Sequence, residues 1–143
     1  MIKPFKLFAI ALALCMATLQ ISCNNDDDAN TDCQNTICTL VLIRLLVTVT
    51  DQNQDPVALD SFQVIETETG NDITISLSAS EFADAQQLGQ YPLIEDGILG
   101  ENQERELEFK GFINNQEVVA GTYTVATDCC HVGLISGDIE LTF

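Results

Sequence analysis

Two kinds of apolar pattern divide the chain. From Leu7 to Leu19 every residue is apolar except Thr18, whereas beyond residue 40 apolar residues mostly recur at every second position. A period of two sets alternate side chains on one face of a strand. Val41, Ile43, Leu45, Val47 and Val49 form such a face, so Leu40–Thr50 is predicted as the first strand. Arg44, Thr48 and Thr50 mark its other face, where Leu42 and Leu46 are expected to pack beneath a loop. Asp51–Pro56 is a turn cluster, Ser61–Thr67 a second strand, and Thr69–Asp72 another turn. Ile73, Ile75 and Leu77 alternate with Thr74, Ser76 and Ser78, which predicts a third strand. Residues 80–88 break the alternation. Ser80 can cap a helix starting at Glu81, with Phe82 and Ala85 inward and Gly89 as its stop.

The alternation then resumes. Gln90–Glu95 reads as an edge strand, because Pro92 cannot donate to a sheet ladder. Glu104–Ile113 sets Leu107, Phe109 and Ile113 against Glu106, Glu108 and Lys110. Asn114-Asn115 is a hairpin signal, followed by strands at Val118–Thr127 and Cys130–Ile135 and a turn at Ser136–Asp138. Ile139, Leu141 and Phe143 are expected to face inward from a last strand. Seven to eight short strands, with turns about every 8–12 residues, predict an all-β, antiparallel Ig-like β-sandwich with one short helix near 80–88.

Two segments carry a more specific likeness. Val47-Thr-Val-Thr-Asp-Gln-Asn-Gln-Asp-Pro-Val57 resembles the opening of transthyretin-like and carboxypeptidase-regulatory-like sandwiches: a valine-rich strand, a polar turn, then Pro-Val. Gly121-Thr-Tyr-Thr-Val125 resembles their late strand. The layout through Asp128-Cys-Cys-His-Val132 is also similar to small surface lipoproteins of the Bacteroidota. The resemblance implies a fold and a cellular setting over residues 38–143, and no chemistry.

The N-terminal run has the parts of a secretory signal. Lys3 and Lys6 precede the apolar stretch, and Leu19-Gln-Ile-Ser-Cys23 follows it. A membrane-crossing helix needs roughly 20 apolar residues, more than this run supplies, and a carboxylate cluster follows where a stop-transfer flank would be basic. Ser22-Cys23 resembles the lipobox, in which the cysteine is acylated before the signal is cut, although Gln20 stands where an aliphatic residue is usual. This implies residues 1–22 as a lipoprotein signal peptide and Cys23 as the site of lipid attachment. A plain cleaved signal would leave Cys23 a thiol. Residues 23–37 then form an acidic, flexible tether. Its Asp26, Asp27 and Asp28 resemble the surface-export signal of Bacteroidota lipoproteins, and as a plain solvated run they would still extend the chain.

Removing residues 1–22 leaves three basic residues, Arg44, Arg105 and Lys110, against all 22 carboxylates, a net charge of −19. Such a surface repels phosphate backbones and anionic headgroups, so it predicts no nucleic-acid partner and membrane attachment through the lipid. Of six cysteines, Cys15 lies in the signal and Cys23 at the lipobox. Cys33, Cys38, Cys129 and Cys130 in an exported chain read as two disulfides. Joining neighbours 129 and 130 would strain the bridge, which leaves a nested pairing (33–130, 38–129) and a crossed one (33–129, 38–130). Antiparallel segments would give the nested pairing, the preferred expectation.

Candidate chemistry is sparse. Cys129-Cys130-His131 could contribute metal ligands, but adjacent strand residues diverge and His131 is the only histidine. Asp51-x-Asn53-x-Asp55 imitates a calcium loop, yet Pro56 and Phe62 occupy the positions that require Gly and Glu. A looser site among Asp51, Asp55 and Asp96 stays open. No nucleophile elbow, zinc-protease helix or phosphate loop is present. Tyr123 reads as a packing residue, of tyrosine-corner type or otherwise. The expectation is a non-catalytic module without cofactor or metal. It would be lipid-anchored at the outer membrane and face the exterior, binding a protein or glycan or serving as an accessory subunit. The alternative is a small carboxylate- and His131-based hydrolase or metal-binding protein.

Overall fold

A computed structural model describes residues 33–143. The proposed signal, Cys23 and Asp26–Asp28 lie outside the described residues. Seven strands form two sheets: β1 (Arg44–Thr50), β2 (Ser61–Glu66), β3 (Gln90–Glu95), β4 (Glu104–Ile113), β5 (Gln116–Thr127), β6 (Val132–Ser136) and β7 (Glu140–Thr142). One sheet has the order β3-β1-β7 and the other β2-β4-β5-β6, an all-β sandwich. Among the described residues there is one α-helix, α1 (Ala79–Leu88), which leads directly into β3. All pairings are antiparallel except that of β1 with the C-terminal β7.

The inward faces meet as the alternation requires. Val47 and Val49 of β1 and Tyr91 and Leu93 of β3 bury against Val64, Leu107, Phe109, Tyr123 and Val125 of the other sheet. Phe62 joins the aromatic members, 5.6 Å from Tyr91 and 5.9 Å from Phe109 between ring centroids. The β4–β5 hairpin turns through Asn114 and Asn115, both at positive φ (52° and 60°). That matches the right-handed twist of the flanking strands. β3 is an edge strand, as Pro92 predicted, and its register against β1 shifts between Leu45 and Leu46.

Several expectations are corrected. β1 begins at Arg44, and Val41 and Leu42 are exposed, so neither packs on the core or beneath a loop. Leu46 does find cover, sharing a shallow cleft with Leu77, Ala85 and Leu88 at the helix. Residues 73–78 are not a strand. The amide of Ile73 reaches Val64 O, but the next ladder position is filled by a side chain, the Thr74 hydroxyl accepting from the Val64 amide. Asp72 in turn accepts from the Thr74 amide and hydroxyl, a local side-chain solution that competes with the ladder.

The cap of α1 is Ser78 rather than Ser80. Ser78 has Glu81 three residues on, which completes a reciprocal capping box, whereas Ser80 has Ala83. Phe82 is half-buried, Ala85 is buried, and Gly89 ends the helix in the left-handed region. β6 begins at Val132, leaving Cys129 and Cys130 in a bend. Of the last three alternating residues only Leu141 packs on the core; Ile139 and Phe143 are exposed, because a three-residue strand offers a single inward position.

Candidate functional site

At the end of the sandwich where β1 starts, residues 33–43 are clamped to two loops, the one between β3 and β4 and the one between β5 and β6. Cys33 opens a 3-10 turn (Cys33–Asn35) and is bonded to Cys129; Cys38 is bonded to Cys130. Two disulfides therefore form among the four cysteines expected to make them, but the pairing is crossed, not nested. The nested pattern presumed two antiparallel extended segments. Here Cys33 sits in a helical turn and Cys129-Cys130 in a bend, so 33 and 38 meet 129 and 130 in the same order. With every thiol of the Cys129-Cys130-His131 grouping oxidised, that grouping holds no thiolate ligands.

The bend is set by Asp128, whose Oδ1 accepts from the amides of Cys130 (2.6 Å) and His131 (2.8 Å). These two bonds hold its carboxyl below the ordinary carboxylate range, His131's amide having the larger effect. His131 is thereby turned toward Asp96, in the turn after β3, with Nδ1 2.8 Å from Asp96 Oδ2. The same carboxylate accepts from the amides of Ile43 (2.8 Å) and Val132 (2.7 Å). Burial pushes the Asp96 carboxyl up, but the Ile43 amide, His131 and the Val132 amide outweigh it and hold the group low. Asp96 thus joins the entry to β1, the turn after β3 and the start of β6.

On the other side of the ring, His131 Nε2 lies 2.9 Å from Thr39 Oγ1. In the neutral tautomer that carries its proton on Nδ1, the ring donates to the carboxylate and Nε2 accepts from the threonine hydroxyl. Hydroxyl, imidazole and carboxylate follow one another in the order of a nucleophilic relay. A cleft of about 300 Å³ adjoins them, lined by Asp96, Leu99, Gly100, Thr127, His131 and the Cys129-Cys130 bend among others. Thr39 is exposed and is not among the residues that line it.

The other candidate residues lie elsewhere. Asp51 and Asp55 share the turn after β1, at the opposite end of that strand from Asp96, so the three do not converge. Asp51 Oδ1 instead accepts from the amides of Asn53 (2.8 Å) and Asp55 (2.9 Å), closing its own turn. Among the described residues no group of three or more His, Cys, Asp or Glu could hold a metal ion. Each of the three basic residues pairs with a carboxylate: Arg44 with Glu95, Arg105 with Glu66, and Lys110 with Glu108.

Tyr123 packs as the sequence suggested, and the backbone tie of a tyrosine-corner kind falls instead to Tyr91, for which the sequence suggested no role. Tyr91 ties backbone: its hydroxyl accepts from the Leu59 amide (2.7 Å) and donates to Val57 O (2.8 Å). Tyr123 is a packing residue whose buried hydroxyl has no hydrogen-bond partner among the described residues. Its ring explains the Gly-x-Tyr spacing, since a Cβ on Gly121 would come within 2.6 Å of the Tyr123 hydroxyl. Burial, with the Asp138 charge nearby, pushes this phenol up to about 12.

Thr39 and Asp96 were not linked to His131 by any local sequence signal, being 92 and 35 residues away. Compared with protein-family models, curated proteins and solved structures, the chain matches none.

Proposed function

We propose that this chain is a lipid-anchored, non-catalytic module of the outer membrane. In this reading Cys23 carries the acyl chains, Asp26–Asp28 direct the domain to the cell exterior, and the sandwich, of transthyretin-like or carboxypeptidase-regulatory-like kind, binds a protein or glycan or serves as an accessory subunit. The observation that carries the reading is the pair of disulfides where the chain enters the domain. They fit an oxidising compartment and fix the domain to its tether ten residues after Cys23. The polar cluster supports a structural role at that pole: Asp96 and Asp128 hold backbone amides, and His131 is held between Asp96 and Thr39. The hydroxyl–imidazole–carboxylate line is the one observation favouring a small hydrolase; Thr39 itself does not line the cleft.

Labelling with a clickable palmitate analogue, followed by membrane fractionation, tests the anchor. The wild-type chain should be labelled and sediment with membranes, whereas Cys23→Ala should be unlabelled and soluble. An unlabelled Cys23→Ala protein that still sediments with membranes would overturn the reading. Proteolysis of whole cells should digest wild type and spare a chain with Asp26–Asp28 changed to Ala.

A further inference from the structure

The segment between the disulfides and β1 is a strap with two unlike sides. Up to Thr39 its inward contacts are polar or covalent, with Cys33 and Cys38 in disulfides and the Thr39 hydroxyl on His131; at its end the Ile43 amide bonds Asp96 and the Ile43 side chain packs on the core. Between those clamps Ile37 and Leu40 are almost fully exposed, and Val41 and Leu42 are each 61% exposed. Ile98, in the turn after β3 whose Asp96 amide bonds to Ile43 O, adds a fifth exposed apolar side chain to this pole. With the clamps in place, these side chains cannot turn into the core. Soluble domains expose single apolar residues freely, but a contiguous group marks a contact surface.

Position selects the occupant. On the lipid-anchored reading, from which this inference proceeds, ten residues separate the acylated Cys23 from Cys33. Fully extended they reach at most about 35 Å, and as a flexible chain they average roughly 18 Å. The bilayer that holds the acyl chains is thus the nearest apolar phase to the strap. Among the described carboxylates of this pole Glu95 pairs with Arg44, Asp96 with His131 and two amides, and Asp128 with two amides, while Glu101 is exposed; the tether itself carries Asp26–Asp28 and Asp32. We propose that Ile37, Leu40, Val41, Leu42 and Ile98 form a membrane-contact face, which seats this pole on the bilayer and points the Asp51–Asp55 and Asn114-Asn115 turns away from it. The contact is apolar, so it does not depend on anionic headgroups.

The chain contains no tryptophan, so a single introduced one reports its own surroundings. The full lipidated protein carrying Leu40→Trp would be reconstituted into phosphatidylcholine vesicles with and without brominated acyl chains. Phe143→Trp, at the far end of β1 where the Phe143 amide bonds to Thr50 O, serves as the distal control. Either vesicle should blue-shift Leu40→Trp and the brominated one should also quench it, leaving Phe143→Trp unchanged. If both proteins float with the vesicles and Leu40→Trp stays unquenched, the contact face is refuted and the anchor stands. A blue shift without quenching, accompanied by dimerisation, also refutes it by showing a second copy on the strap. Failure to float removes the anchor and this inference with it.

Discussion

Deleting either disulfide alone should cost much less than half of what deleting both costs. The bonds are 96 and 92 residues apart in sequence, and a loop of that size, closed in an otherwise open chain, restricts the unfolded state by about 4.7 kcal/mol. The two closures are not independent, however. Once Cys33–Cys129 has formed, Cys38–Cys130 closes only the short ring through residues 33–38 and 129–130. A ring of about eight residues contributes roughly 2.5 kcal/mol by the same relation. Losing either bond from the doubly linked protein therefore removes only that smaller increment, while losing both removes the large loop as well, about 7 kcal/mol in all. Urea unfolding of Cys33→Ala/Cys129→Ala, of Cys38→Ala/Cys130→Ala and of the quadruple variant checks this. The two paired variants should each lose about 2.5 kcal/mol, and the quadruple more than their sum. Losses near 4.7 kcal/mol from each paired variant would refute the reasoning, because they would mean that each bond closes its long loop unaided. A loss of 7 kcal/mol is comparable with the whole stability of a domain this size, so a quadruple variant with no cooperative transition agrees with the prediction.

Two further predictions concern single side chains. Tyr91→Phe leaves the Leu59 amide and Val57 carbonyl without their partner and should destabilise by about 2 kcal/mol, whereas Tyr123→Phe removes a hydroxyl with no partner and should be neutral or stabilise by up to about 1 kcal/mol; equal losses in urea titrations would contradict both assignments. Asp96 and Asp128 have carboxyls held below their ordinary value of 3.8, so their contribution is complete above that pH and is lost as pH falls below it. Acid titration of the melting temperature should show a drop there that Asp96→Asn/Asp128→Asn makes shallower, and an unchanged acid limb in the double variant would refute the assignment.

Legibility in the sequence followed the range of the interaction. The hairpin at Asn114-Asn115, the edge character that Pro92 gives β3, and the stop at Gly89 each depend on a residue's own backbone preference, and each stands where the pattern placed it. Errors arose where side chains replaced backbone partners. Thr74, held by Asp72, took over a ladder position that alternation assigns to a strand, and Asp128 bent the chain at Cys130, where alternation starts the strand that became β6. The misplaced cap was readable: Ser78-Ala-Ser-Glu81 is a complete capping box, and Ser80 lacks the acidic residue that closes one.

The entry pole shows why composition told more than spacing there. Four cysteines, in a chain read as exported, predict two disulfides whatever the fold, because oxidation depends on compartment. Pairing depends on which way each Cβ points, and that was settled by a 3-10 turn at Cys33 and an Asp128-stabilised bend, neither with a periodic signature. The same bend delivers His131 to Asp96, so the disulfide register and the imidazole–carboxylate pair have one local cause. A residue that looked like chemistry in isolation, the single histidine beside two cysteines, is placed by the turn that also aligns the sulfurs. The apolar run from Leu40 to Leu42 was misassigned for a related reason. Alternation assumes that one side of a segment is free to choose the core, but here the inward side was already occupied by sulfur, hydroxyl and amide contacts, and the apolar side chains were left facing out.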